Sequence, residues 1–229
     1  MSHNLEKVID NISIDYVIFG FENNELEILL IKRGIDPFIG QWALPGGFIL
    51  KEEELDDATK RILEETTGVE NIFMEQVAAF GGLHRYPDRR VFTIGYFALI
   101  SPENFALNPG VDTSGVEWKK FDDLPKLPFD HNEIVKRALK KLRTRVRNKP
   151  IGFELLPKKF TLTKLQLLYE IIIGKELDKR NFRKKILKMD ILKKLDEKDK
   201  KTQGRAAHFY QFDYKSYQNF REKGFSFDL

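Results

Sequence analysis

The chain has 229 residues, 41% hydrophobic and 32% charged, the balance of an ordinary globular protein. It has no cysteine, which excludes disulfides, thiolate metal sites and cysteine nucleophiles. Its net charge of +4 hides an asymmetry: residues 1–150 carry 20 Lys/Arg against 24 Asp/Glu, whereas residues 151–229 carry 19 against 11. A basic C-terminal part points to a polyanion partner; a merely solvated basic surface is the plain alternative. The four histidines, His3, His84, His131 and His208, show no HExxH spacing. Residues 1–10 have no apolar core of signal-peptide length. The longest apolar runs, such as Tyr96–Ile100 and Ile171–Ile173, are too short to span a bilayer. A cytoplasmic protein with no membrane partner is expected.

Residues 12–21 (ISIDYVIFGF) read as a strand, Glu22-Asn23-Asn24-Glu25 as a polar turn, and Leu26–Arg33 as the returning strand of a hairpin. A loop with Gly34, Pro37 and Gly40 follows, and Trp42–Phe48 leads through Pro45-Gly46-Gly47 towards a helix. That helix is predicted from about Glu53 to Thr67, stopped by Gly68. Its apolar positions Leu55, Ala58, Ile62 and Leu63 make one buried face. Strands are predicted at Ile72–Phe80, Arg90–Ile100 and Val116–Phe121, with a turn-rich connector at Gly81–Arg89. A second helix runs from about His131 to Arg147, apolar along Ile134, Val135, Ala138, Leu139 and Leu142 and basic in its last turns. Mixed strands with helices outside them make this part an α+β sandwich.

Asn148-Lys149-Pro150 reads as a boundary, dividing the chain into domains 1–147 and 151–229. Beyond it, Thr161 or Thr163 can cap a helix ending at Gly174, with Leu165, Leu168, Tyr169 and Ile172 buried. A second helix opens at Leu177 or Asp178 and runs through Met189, with Phe182, Ile186 and Leu187 on its buried side. Strands near Ile191–Leu195 and Ala207–Asp213 then flank the basic loop Asp196–Arg205. Helix, turn, helix and a hairpin with a basic tip is the order of a winged helix.

Two motifs carry a resemblance. Gly47–Val69, GFILKEEELDDATKRILEETTGV, is similar to the Nudix box G-x5-E-x7-R-E-U-x-E-E-x-G-U, where U is aliphatic; Gly47, Glu53, Arg61, Leu63, Glu65, Gly68 and Val69 stand at its spacing. The lead-in Trp42-Ala43-Leu44-Pro45-Gly46-Gly47 resembles W-x-L-P-G-G. Residues 155–212 resemble the winged helix of Nudix-related transcriptional regulators, on Leu156-Pro157, Phe160-Thr161-Leu162, Leu165-Gln166, Tyr169-Glu170, Asn181–Lys185, Gly204-Arg205-Ala206 and Phe209-Tyr210 with Phe212. The resemblance implies a Nudix α/β/α sandwich of class α+β, followed by a C-terminal winged helix-turn-helix.

The box departs from its pattern at Ile62 and Thr66, where it has glutamates. In the family these bind Mg²⁺ with the residue at Glu65, and 62, 65 and 66 share a helix face. Magnesium wants carboxylate oxygen and water, so no metal, no cofactor and no catalysis are expected, with residual pyrophosphohydrolase activity as the alternative. Glu53 and Arg61 can still pair to order the loop before the helix.

A cleft without ligands for a metal, on a chain with a DNA-binding half, reads as an effector pocket. The resemblance implies either of two effectors, because family members controlling NAD synthesis sense ADP-ribose and a branch with degraded boxes responds to pentoses such as L-arabinose. Loss of the Mg²⁺ ligands leads to the expectation of a pentose, hence of a repressor of L-arabinose utilisation released by the sugar. ADP-ribose sensing in NAD metabolism is the alternative. Candidate pocket residues are Lys32, Arg33, Asp36, Gln41, Trp42 and Phe48 from one loop and His84, Arg89 and Arg90 from the connector. Candidate DNA contacts are Thr163 and Lys164; Lys179, Arg180, Asn181, Arg183 and Lys184 on the recognition helix; and Lys200, Lys201 and Arg205 on the wing. A homodimer on a pseudo-palindromic double-stranded operator is expected.

Overall fold

β1 (Ile12–Glu22) and β2 (Glu25–Arg33) form the predicted hairpin, turned by Asn23 and Asn24 at φ 48° and 65°. Positive φ at both central residues gives a turn whose twist matches the strands, and asparagine tolerates that region. In this computed structural model the described residues are 11–105, 107–110, 112–199 and 206–222. They form two compact units. One takes residues up to Phe19, Glu27–Ala98 and Phe105–Ala138; the other takes Gly20–Leu26, Leu99–Asn104 and the chain from Leu139.

The main sheet adds β3 (Trp42–Ala43), β4 (Gly46–Phe48), β5 (Phe73–Phe80), β6 (Phe92–Leu99) and β7 (Thr113–Lys120). Its order is β3-β2-β1-β6-β5, with β4 paired to β1 and β7 to β2. β1 is central and buried from Ser13 to Phe21. Neighbouring residues on a strand face opposite sides, and Asp15 and Tyr16 show what covers each side. The Tyr16 hydroxyl donates to the Thr59 carbonyl oxygen at 2.6 Å, on α1 (Leu55–Thr67). Asp15 faces His131, the first residue of α2 (His131–Asn148). The sheet therefore lies between the two helices.

α1 starts two residues later than predicted and ends at Gly68, whose φ of 73° is the left-handed closing conformation that glycine adopts without strain. β3 and β4 were not expected, being too short to show a period. The α2 stripe Ile134, Val135, Ala138, Leu139 and Leu142 is buried throughout.

The C-terminal part carries β8 (Phe160–Thr161), α3 (Leu162–Ile173), α4 (Lys179–Lys188), β9 (Leu192–Asp199), β10 (Ala207–Phe212) and α5 (Tyr214–Glu222). Its sheet has the order β8-β10-β9. Of the two predicted caps, Thr161 serves α3, accepting from Lys164 N; Asp178 caps α4, accepting from Asn181 N. Phe182 and Ile186 are buried as predicted, and the Phe182 ring lies 5.8 Å from that of Tyr169 on α3. Leu187 is not: it is 45% exposed, one position past the buried face. α5 was missed; its Tyr214 and Tyr217 rings pack against Phe212. Among the described residues no helix is long and apolar enough to cross a membrane.

Candidate functional site

A cavity of about 270 Å³ opens where β1, β2, β4 and α1 meet the connectors 81–90 and 127–131. This is at the lower edge of small-molecule sites. Its lining includes Ser13, Asp15, Arg33, Phe48, Arg61, Ile62, Glu65, Thr66, Arg85, Tyr86, Asp112, Phe129 and His131.

The floor is a buried ionic cluster. Arg85 donates from Nε and Nη2 to the two carboxylate oxygens of Asp130 at 3.1 and 2.8 Å, and from Nη2 to Asp15 Oδ2 at 3.1 Å. Thr93 Oγ1 donates to the same Asp15 oxygen at 2.9 Å and lies against the Ser13 hydroxyl. Arg85 is 4% exposed in its side chain, and these carboxylates balance its buried charge. One wall is aromatic. Tyr86 and Phe129 stack with centroids 5.2 Å apart, with Phe38 edge-on to Phe129.

The opposite wall is the face of α1 on which the Nudix pattern places its metal glutamates. Ile62 is 1% exposed, and a Cβ on Gly47 would stand 3.2 Å from its Cγ2, so its side chain lies against the β4 backbone. Thr66 Oγ1 donates to the Ile62 carbonyl oxygen at 2.6 Å. Glu65 accepts from Arg61 Nη1 at 2.8 Å. One position offers hydrocarbon, one a hydroxyl turned to its own helix, and one a carboxylate already paired. This set does not fit Mg²⁺. Among the described residues no group of three His, Cys, Asp or Glu side chains could hold a metal ion.

The expected Glu53–Arg61 pair is present, with Arg61 Nε donating to Glu53 Oε1 at 2.6 Å and Nη2 to Oε2 at 2.8 Å. Nη2 also donates to the Phe48 carbonyl oxygen at 3.1 Å, and Glu53 accepts from Leu50 N, which ties down the loop ahead of α1. The Arg61 hydrogen bond, then that of Leu50, holds the Glu53 carboxyl down at about 2.

Of the predicted effector residues, only Arg33 and Phe48 line the cavity. Lys32, Asp36, Gln41, His84 and Arg89 are exposed outside the lining. Trp42 sits on the short strand β3 opposite Lys32, with the Lys119 ammonium 4.9 Å from its ring. Arg90 donates to the Gly82 and Gly81 carbonyl oxygens at 2.5 and 2.7 Å and braces the connector. Reading along the loops missed Asp15, Arg85, Tyr86, Phe129 and His131.

His131 is a pH-sensitive point. Its Nδ1 accepts from Leu44 N at 3.1 Å, so the ring is neutral with its proton on Nε2, 3.7 Å from Asp15 Oδ1. Burial pushes its pKa below the usual 6.5, helped by Arg85 and Arg33 and opposed by Asp15 and Asp130. The unfolded chain then binds a proton that the folded chain refuses. The contribution of His131 to the pH dependence is then absent well above pH about 6.5, and the stability it controls declines as pH falls through that value. Urea melts at a series of pH values should show this decline in the wild type and a flatter dependence in His131→Gln; equal slopes would remove the assignment.

On the winged helix, Lys179, Arg180, Asn181, Lys184 and Lys188 are exposed on α4, and among the described residues none of these cations pairs with a carboxylate. Arg183 differs: it is half-buried, and its Nη2 donates to Thr163 Oγ1 on α3 at 3.0 Å. Thr163 is exposed; Lys164 is half-buried, its ammonium 5.9 Å from the Phe21 ring. Lys200, Lys201 and Arg205 lie outside the described residues.

With this geometry in place, the comparisons with known proteins are consistent. Residues 13–142 match the NUDIX domain, and residues 152–212 match the NrtR DNA-binding winged helix domain. The ADPR responsive transcriptional repressor NtrR of Acinetobacter baylyi is 36% identical over 90% of this chain and 83% of its own length. The crystal structure of Shewanella oneidensis NrtR complexed with a 27mer DNA has a TM-score of 0.78 at 28% identity, covering 95% of this chain and 99% of that one. The NUDIX domain of Shewanella oneidensis NrtR, complexed with ADP ribose, has a TM-score of 0.56 at 31% identity, covering 61% and 93%.

The expected fold, a Nudix domain followed by a C-terminal winged helix, stands. The L-arabinose reading does not: the relative that matches nearly the whole chain is ADPR responsive, and the related NUDIX domain holds ADP ribose. Loss of the Mg²⁺ carboxylates does not by itself argue against a diphosphate, because guanidinium groups also line the cavity and their planar donors suit phosphate oxygens without a metal. The chain belongs to the NrtR family of Nudix-related regulators, carrying a NUDIX domain followed by the NrtR DNA-binding winged helix domain.

Proposed function

We propose that this chain is a transcriptional repressor that binds double-stranded DNA through its winged helix and is released by ADP-ribose bound in the Nudix pocket. The observation that carries the reading is a cavity with a buried ionic floor whose metal positions are filled by Ile62 and Thr66, on a chain that also bears an exposed basic helix face. α2 begins at the pocket's His131 and ends at Asn148, just ahead of the winged-helix segment in sequence. Arg180, Asn181 and Lys184 are the proposed groove contacts, and a homodimer would match a pseudo-palindromic operator. The family resemblance and the similarity to an ADPR responsive repressor support the same assignment.

ADP-ribose is then a ligand and not a substrate. Fluorescence anisotropy of labelled upstream DNA should show the complex released by ADP-ribose and unaffected by L-arabinose, with a coupling of about 1–3 kcal/mol. Chromatography of the same mixture with Mg²⁺ should find ADP-ribose intact. Turnover in the common enzyme range of about 1–1000 per second would reject the regulatory reading of the pocket, and retention of the DNA complex at saturating ADP-ribose would reject the effector.

A further inference from the structure

The Nudix pocket has lost the means to hold a cation, yet the ligand proposed for it carries two phosphates. A diphosphate entering a half-buried site needs compensating positive charge. Three guanidinium groups line the cavity. Arg61 is consumed by Glu53, Glu65 and the Phe48 carbonyl. Arg85 is consumed by Asp15 and Asp130. Both are neutralised where they stand.

Arg33 is different. Among the described residues no carboxylate lies within ion-pair distance of it. Its Nε donates to the Pro37 carbonyl oxygen at 2.7 Å, and Nη2 reaches the Asp36 carbonyl oxygen at 3.5 Å, both uncharged acceptors. Nη1 has no acceptor among the described residues. The guanidinium stands 5.2 Å from the centre of the Phe129 ring, the aromatic wall of the cavity, which fixes its plane. Its backbone is equally fixed: Arg33 N donates to Gln41 O at 2.9 Å, and Arg33 O accepts from Gly40 N at 2.8 Å. Partial burial lowers its pKa, opposed by the more distant charges of Asp15, Asp112 and Asp36 and by Tyr86, so the cation is short of solvent and has no carboxylate in direct contact among the described residues.

We propose that the pocket takes the diphosphate of its ligand without a divalent cation, with the Arg33 guanidinium as the anion anchor. The proposal rests on the ADP-ribose reading and adds the chemistry by which the site replaces its lost metal. The end edge of the guanidinium, Nη1 with the second Nη2 hydrogen, presents two parallel N–H donors to two phosphate oxygens, and its charge is permanent at any working pH. Phe48, the other predicted lining residue, is 39% exposed at the mouth and offers apolar surface only.

The test is calorimetric titration of the full chain with ADP-ribose, in EDTA and again in excess Mg²⁺. The wild type is expected to bind equally in both buffers. Arg33→Gln should weaken binding by about tenfold or more, the usual worth of a charge-assisted hydrogen-bond pair, and Arg33→Lys should recover part of the loss. Arg33 also holds the 34–40 loop, so the melting temperature of each variant is measured alongside. A second readout separates anchoring from loop support: wild-type affinity should fall with salt, and that dependence should flatten in Arg33→Gln. Loss of wild-type binding in EDTA, or Arg33→Gln binding as tightly as wild type, overturns the anchor while leaving ADP-ribose as the ligand. No wild-type binding in either buffer overturns the anchor together with the reading beneath it.

Discussion

Replacing Arg85 by methionine is expected to lower the unfolding free energy of the pocket-bearing unit by about 3–5 kcal/mol, the usual cost of removing one partner from a buried ionic network. Arg85 is 4% exposed and Asp15 11% exposed in their side chains. Without the guanidinium, Asp15 and Asp130 are left on the cavity floor as like charges with no shared cation. Methionine fills much of the volume, so the loss reports charge and not a cavity. Asp130, at 25% exposure, can recover some hydration if the connector opens, which favours the lower end of the range. For a domain of this size the melting temperature should fall by roughly 4 °C per kcal/mol. Adding Asp130→Asn should restore part of the loss, since it removes one of the two stranded charges, and the non-additivity measures their coupling. An Arg85→Met variant within about 0.5 kcal/mol of wild type, the range of ordinary surface changes, would show that the cluster is incidental to stability.

Why Arg85 escaped sequence reading shows where such reading stops. Periodic elements were legible because their information is local: the α2 stripe repeats over five buried positions, and Gly68 and Gly174 mark helix ends by backbone conformation alone. The Glu53–Arg61 pair was legible because both residues belong to one motif. The pocket floor draws on β1, the 81–90 connector, β6 and the start of α2, and only the sheet topology brings these together. One signal was available. Asp15 interrupts the apolar run of β1, and a carboxylate on a central strand requires a partner. Trp42 was open to two readings, a pocket residue or a packed one. An aromatic ring in a Gly/Pro-rich loop suggests a ligand platform, but here it continues the sheet edge as β3 and packs under Lys119. Arg183 was read as a base contact from its place on the recognition helix; its tie to Thr163 depends on how α3 and α4 pack, which the sequence does not state.

That tie divides the proposed DNA contacts into three kinds with different expected behaviour. Arg180 and Asn181 lie exposed in the first turn of α4, the end that reaches base edges when such a helix enters the major groove. Each alanine substitution should cost about 1–3 kcal/mol on the cognate site and relax preference at its own base pair. Together they should lower cognate affinity by roughly 30-fold or more and leave non-specific binding little changed. Lys184 and Lys188 lie further along the exposed side, where a lysine serves a phosphate. Their loss should weaken all sequences alike and reduce the salt slope by about 0.9 for each contact removed. Arg183→Ala should follow neither pattern. It removes one brace between α4 and α3 while the buried Phe182 contact stays, so cognate binding should weaken while the salt slope stays near wild type, and Arg183→Lys, which cannot reproduce the planar donor, should not restore it. Competition titrations on cognate and scrambled duplexes at several salt concentrations separate the three outcomes. Specificity lost on Arg183→Ala at the same magnitude as on Arg180→Ala would return Arg183 to the bases, and an unchanged affinity on the double Arg180/Asn181 variant would move the interface off α4.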